Sequence, residues 1–368
     1  MRRLAMLSAV CVLGTSFVAR AEPTGPGPSS FPVVCGERSP ALDRVAEKLA
    51  QRKARGEPAL DLPDLALLVA AERVAYVWPR AWVASGATTE ALTLGFAAHR
   101  TSLPQATRAV CGAAVLDAGP GKVVGAVLLL DAKGELGPMK ERARVGEFLP
   151  LEATLASEAR DARVMVRGPF GAARIVPGRF DPATRKLRAT FAPDAPGTFV
   201  VQVVAETESG PRPFLETRVF ADTTPTYARS ARDIVPPAPS GTSPDDALFM
   251  LVKKLRSEEG LPALVRDPKL DALAKSHVET MIAKRTLAHD TGDGDPRARA
   301  EEAGVRARIV AENVATGREV HGLHRALTES PSHHANLRSP SLDRVGIAVV
   351  ADPAGALWGC ELFVGGHP

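Results

Sequence analysis

Aromatic residues are scarce in this 368-residue chain, at 5%, with only two tyrosines. Charge of one sign is scarce too. The net charge is +4, and no basic run is interleaved with aromatics, so a nucleic-acid partner is not expected. No serine or cysteine lies in a strand-to-helix elbow with a histidine partner, so a nucleophilic hydrolase of that kind is not indicated. Beyond the first twenty residues, no run is apolar enough for long enough to cross a bilayer as a helix. The mature chain is therefore expected to have no transmembrane segment.

Residues 4–18 are the one long apolar stretch, and they are too short to span as a helix. Arg2 and Arg3 precede them, and Ala19-Arg20-Ala21 follows with small residues where a signal peptidase reads. Residues 1–21 read as a signal peptide cut before Glu22, with an uncleaved anchor as the alternative. The expected location is secreted, extracellular or periplasmic.

Cysteine is the next scarcity, with four in all. Cys11 leaves with the leader. Cys35-Gly36 and Cys111-Gly112 bracket one segment, and in an exported chain they are expected to form a disulfide. Cys360 is left over and is expected to be buried in the last strand.

The hydrophobic content of 45% is that of ordinary globular material, and the length suggests two or three domains. Residues 22–136 read as an α+β domain. Helical spacing covers residues 41–55, 64–76 and 89–100, and a hairpin follows at residues 110–116 and 123–130 around Gly119-Pro120-Gly121. This hairpin faintly echoes the end of the chain, but hairpins after helices are common and coincidence is the expectation. Residues 137–222 alternate with period two between Gly/Pro/Asp turns, which predicts an immunoglobulin-like β-sandwich. No titratable cluster marks it, so it reads as a spacer, with an adhesive module as the alternative. Residues 223–243 are a Pro-rich linker.

Residues 244–368 open with firm punctuation. Ser243-Pro244, Asp267-Pro268 and Asp295-Pro296 each place a capping side chain before a proline at the first helical position. Val320, Leu323 and Leu327 mark a fourth helix, and Ser330-Pro331 starts a fifth. Strands at residues 344–350 and 357–364 finish the chain. Helices first and a hairpin last imply helices packed on a small sheet.

Three polar residues break this pattern. His289 follows the second helix. Glu312 interrupts the apolar run Ile309-Val310-Ala311-Glu312-Asn313-Val314-Ala315, where a charge is costly unless paired or coordinated. His333 lies in the first turn of the fifth helix, where a neutral ring is favoured. Two imidazoles and a carboxylate make a divalent-metal site with an open position, zinc being the natural candidate. The bland readings are a loop histidine, a Glu312–Arg308 ion pair and a capping histidine. His277, on an apolar helix stripe, reads as packing.

Residues 245–368 resemble the CAP superfamily of cysteine-rich secretory proteins, antigen 5 and plant pathogenesis-related proteins, in its bacterial secreted SCP-like branch. The likeness is carried by Leu255-Arg256-Ser257-Glu258-Glu259-Gly260-Leu261-Pro262-Ala263-Leu264, by Leu273-Ala274-Lys275-Ser276-His277, by His289, by Glu312-Asn313-Val314-Ala315, by Ser330-Pro331-Ser332-His333-His334-Ala335-Asn336-Leu337 and by Val345-Gly346-Ile347-Ala348-Val349. The resemblance implies an α-β-α sandwich whose cavity carries two histidines and two acids, which hold zinc or another divalent ion in some members. Carried over by motif, these are His289, His333, Glu312 and, as the nearest carboxylate for the fourth place, Glu329. The family suggests a binding protein for lipid, sterol or cell-envelope material. A metal-dependent hydrolase using the same pocket and an adhesive envelope protein are the alternatives, so whether the chain is an enzyme stays open.

Overall fold

The computed structural model describes residues 33, 35–101, 103, 106–228 and 241–366. The expected signal peptide and most of the Pro-rich linker lie outside these residues.

The first unit contains β1 (Glu37–Arg38), α1 (Pro40–Ala54), α2 (Leu62–Ala71), β2 (Arg80–Gly86), α3 (Thr89–Arg100), β3 (Ala109–Asp117) and β4 (Val123–Asp131). Its sheet runs β1-β3-β4-β2, with β1 parallel to β3 and the other pairs antiparallel. The expected second helix stops at Ala71. Arg73 takes a left-handed φ of 59°, and the chain then extends into β2, a strand that the proline at position 79 obscures in the sequence. Cys35 and Cys111 form the expected disulfide, and Cys360 is buried and free.

Nine strands follow: β5 (Gly134–Leu136), β6 (Arg142–Ala143), β7 (Leu149–Leu155), β8 (Asp161–Arg167), β9 (Arg174–Val176), β10 (Gly178–Asp181), β11 (Lys186–Phe191), β12 (Gly197–Thr207) and β13 (Gly210–Ala221). They make two sheets, β10-β11-β7-β5 and β6-β13-β12-β8-β9, around one core that includes Leu151, Leu187, Phe199 and Phe214. β7 and β11 alternate strictly between buried and exposed, as strands with one wet face do. β12 does not. Its outward residues Val200, Gln202 and Val204 are each 1% exposed, because the last domain packs on that face.

The last unit contains α4 (Pro244–Glu258), β14 (Val265–Arg266), α5 (Pro268–Lys284), α6 (Pro296–Glu302), β15 (Ile309–Gly317), α7 (Val320–Glu329), α8 (Pro331–Leu337), β16 (Arg344–Ala351) and β17 (Leu357–Gly365). The expected caps are made: the Ser243, Asp267 and Asp295 side chains each accept a backbone N–H from the first turn of their helix. The sheet runs β14-β16-β17-β15. One face, with Val345, Ile347 and Phe363, shares a core with Leu248, Val252 and Leu323 of α4 and α7. The other, with Cys360, Leu362 and Val364, packs on Leu270, Val278 and Met281 of α5. α5 lies so close that a Cβ on Gly346 would fall 2.1 Å from the Leu270 carbonyl carbon. Arg325 of α7 reaches back to the first unit and pairs with Asp61 at 2.5 Å and Asp64 at 3.0 Å.

The echo between the first and last units is deeper than two hairpins. Strand orders β1-β3-β4-β2 and β14-β16-β17-β15 are the same arrangement. Gly112 and Ala81 both face Leu128 across β4, as Gly346 and Glu312 both face Leu362 across β17. A Cβ on Gly112 would fall 2.0 Å from the Leu42 carbonyl carbon, the counterpart of the Gly346–Leu270 approach. Asp43 and Asp271, each the fourth residue of its helix, accept the N–H of Ala113 and Ile347 at 2.9 and 2.7 Å. Arg38 and Arg266 pair with those same aspartates at 2.6 and 2.9 Å. Among the described residues the first unit has no helix matching α4 or α8. Its disulfide lies on the sheet face that α4 covers in the last unit.

Candidate functional site

β15 is an edge strand, and its alternation sends Glu312 to the α5 side with Val310 and Val314. Asn313 points to the opposite side with Ala311 and Ala315. The Glu312 carboxylate is almost fully buried. His289 Nδ1 donates to its Oε1 at 2.9 Å, Arg299 of α6 pairs with Oε2, and the Cys360 thiol donates to Oε2 at 3.4 Å. Burial pushes this carboxyl up, but the His289 hydrogen bond and the Arg299 and His277 charges outweigh it and hold it below its ordinary value. Glu312 is therefore an anion in the fold.

Behind it lies His277 of α5, with no solvent exposure. Its Nδ1 faces Asp293 Oδ2 at 2.7 Å and its Nε2 faces the Ala288 carbonyl at 3.0 Å. Both partners are hydrogen-bond acceptors, so the ring is held at each of its two nitrogens. Nε2 also lies 3.7 Å from Glu312 Oε1. Burial pushes the Asp293 carboxyl up, but the His277 and Thr291 hydrogen bonds prevail and set it at about 2. Arg299 completes the network by donating to the carbonyls of His289 at 2.8 Å and Gly294 at 2.5 Å.

α8 docks on β15 through asparagines. Asn336 Nδ2 donates to Asn313 Oδ1 at 2.9 Å and to the Glu312 carbonyl at 3.3 Å, and Asn313 Nδ2 donates to the His333 carbonyl at 3.2 Å. His333 is 9% exposed, and its Nδ1 has no partner among the described residues. Burial, reinforced by the nearby His289 ring, pushes it down to about 3, so it is a neutral imidazole. Asn313 also donates to Glu361 Oε2 at 2.9 Å.

His289 and Glu312 are thus in direct contact, and His333 lies near enough for the His289 ring to act on it electrostatically. Glu329 takes a different course, with its carboxylate facing Arg218 of β13 at 3.8 Å and Arg325 at 3.9 Å. Arg299, rather than Arg308, is the cation that holds Glu312. Arg299, Cys360 and Glu361 escape sequence reasoning. The lone acid in an apolar run announces that some cation must meet it, but not which one.

Both Glu312 oxygens are engaged, one of them by a guanidinium. Among the described residues, no three His, Cys, Asp or Glu side chains gather so as to hold a metal ion. In this arrangement the cluster does not fit a divalent ion.

The repeated sheet supplies an internal control. In the first unit the place of Glu312 is taken by Ala81, and the Asn313–Glu361 pair by Trp82–Val127. His277, nine residues after Pro268, corresponds to Leu49, nine after Pro40. The same strand order is built there with apolar residues at these positions, Ala81 standing exposed on its edge strand where Glu312 is buried.

The family model of cysteine-rich secretory proteins, CAP, matches residues 249–362. This chain therefore carries a CAP domain, and the matched residues span most of α4, α5 to α8 and all of the last sheet but the end of β17. Among solved structures it is similar to an outer surface protein of Borrelia burgdorferi, at 24% identity over 32% of this chain and 89% of that one, with a TM-score of 0.31. A cysteine-rich secretory protein of Staphylococcus aureus shows 12% identity over 63% and 86%, with a TM-score of 0.30. An extracellular SCP-domain protein of Bacillus anthracis shows 16% identity over 46% of this chain, with a TM-score of 0.29, and the match spans 64% of that protein's length. No curated protein matches the chain. No helix among the described residues is long and apolar enough to cross a membrane.

Proposed function

We propose that this is an exported CAP-domain binding protein that takes a lipid, sterol or other cell-envelope ligand at the His289–Glu312–His333 cluster. The carrying observation is the contrast between the two sheets: one fold, built once with apolar residues at these positions and once with a buried charged network. Burying such groups costs free energy unless every partner is supplied. The four-stranded sheet itself forms in the first unit without them. The buried Nδ1 of His333 supports the reading, because an unmade hydrogen bond in a neutral ring is a ready contact for a ligand. The sandwich, immunoglobulin-like in this reading, acts as a support for the CAP domain. Purified mature protein is expected to bind saturably to one member of a panel of lipids, sterols and peptidoglycan fragments, and His289→Ala with His333→Ala to lose that binding. Absence of saturable binding across the panel overturns the proposal.

The second reading is a metal-dependent hydrolase, favoured by the same partnerless His333 nitrogen. It requires Arg299 to release Glu312. Elemental analysis of the mature protein, with and without the two histidine substitutions, decides it: metal near one equivalent that vanishes in the double variant supports the reading, and unchanged metal content removes it.

A further inference from the structure

We infer that Gln202, on β12 of the sandwich, is a positioning residue for His333, so that the binding site of the CAP domain is completed by the domain before it. The inference deepens the function proposed above and rests on His333 belonging to the site.

α8 is short, and its first turn is poorly provided for from within. Its N-cap Ser330 makes no capping hydrogen bond, and Pro331 has no N–H to offer. Gln202 supplies the missing partner from another domain. Its Oε1 accepts the Ser332 N–H at 3.2 Å, and its Nε2 donates to Ser330 Oγ at 3.1 Å and to Glu216 Oε2 at 2.9 Å. His333 is the next residue along. Gln202 is 1% exposed and sits between Val200 and Val204 on the outward face of β12. An amide buried among valines costs free energy unless its hydrogen bonds are made, and here both of its ends are used.

The same two strands touch the other histidine. The Asp290 N–H donates to the Ser209 carbonyl at 3.3 Å, at the turn between β12 and β13. Gly210 lies against His289 so closely that a Cβ there would be 3.1 Å from His289 Cβ, and its φ of +94° is one that other residues rarely adopt. One sheet of the sandwich thus touches the segments that carry both rings.

The test uses the full chain labelled with nitrogen-15 in its histidine rings. In Gln202→Ala the ring signals of His333 are expected to move, while those of His99 in the first unit stay in place. Gln202→Ala also removes a partner of the partly buried Glu216, so Ser330→Ala is the milder companion: it keeps the Gln202–Glu216 and Gln202–Ser332 bonds and removes the Ser330 hydroxyl's contacts to Gln202 and Ser332. Gly210→Ala is expected to move His289 instead. Unmoved His333 rings in folded Ser330→Ala and Gln202→Ala protein overturn the inference, even if the melting temperature falls, since a merely structural contact changes stability alone. Should the rings move but ligand binding persist unchanged, the positioning role stands and the assignment of His333 to the binding site fails.

Discussion

Asn313 Nδ2 and Glu361 Oε2 are 2.9 Å apart on the sheet face opposite Glu312, and among the described residues Asn313 is the side chain that hydrogen-bonds this carboxyl. Glu361 has no solvent exposure, and its Oε1 has no partner among the described residues. Burial outweighs the asparagine bond and pushes the carboxyl up to about 7, from an ordinary 4.5. The folded protein therefore keeps a proton that the unfolded chain surrenders above pH 4.5. The contribution is whole below that pH and is lost as pH rises through 7, on the order of 3 kcal/mol. Glu361→Gln is expected to abolish this loss. Urea midpoints of the two proteins, compared at pH 5 and pH 8, check it: the wild type should fall relative to the variant at the higher pH.

His324 works in the opposite direction. Burial and the neighbouring His321 hold its ring at about 4, so it is neutral in the fold. The unfolded chain binds this proton below about pH 6.5, and stability is lost as pH falls from there towards 4. His324→Gln is expected to flatten the acid limb, by up to about 3 kcal/mol between pH 7 and 4. An acid limb of unchanged slope in urea titrations would refute the assignment.

Arg299→Ala leaves the Glu312 anion buried without its guanidinium. Breaking a buried pair from one side costs about 3–5 kcal/mol. Arg299→Lys is expected to recover part of that, since the charge returns without the fork that also reaches the His289 and Gly294 carbonyls. Denaturant unfolding of both variants provides the comparison.

If Ala81 and Leu49 occupy the places of Glu312 and His277, the missing pair can be rebuilt in the first unit. Ala81 is exposed on its edge strand, so Ala81→Glu alone should change stability by no more than about 0.5 kcal/mol. Adding Leu49→His should return at least about 0.5 kcal/mol beyond the sum of the single effects, the coupling expected of residues in contact. Strict additivity in a double-mutant cycle would mean that the two positions do not face each other.

Where local chemistry dictates structure, the sequence is legible. Ser243-Pro244, Asp267-Pro268 and Asp295-Pro296 place three helices within a residue or two, because capping oxygen and fixed proline φ act over four residues. β15 is not legible as a strand, since Glu312 and Asn313 interrupt its apolar pattern with the residues that make the site. β2 hides behind Pro79. That Glu312 must meet a partner follows from the cost of a lone acid in an apolar run, and His289 as that partner comes from the family resemblance. Arg299 and Glu361 do not follow, for their neighbours in sequence carry no such anomaly. The extra cover over α8 from Gln202 is invisible for a simpler reason: a glutamine in an alternating strand looks like any solvent-facing residue.

The bridge between Cys35 and Cys111 has a consequence for biosynthesis. Both thiols leave the ribosome within the first third of the chain, long before Cys360, which ends up buried at the far end of the molecule. The two partners of the bridge are thus both present before the last domain has been made. The Cys360 thiol arrives last, and in the fold it is buried beside Glu312.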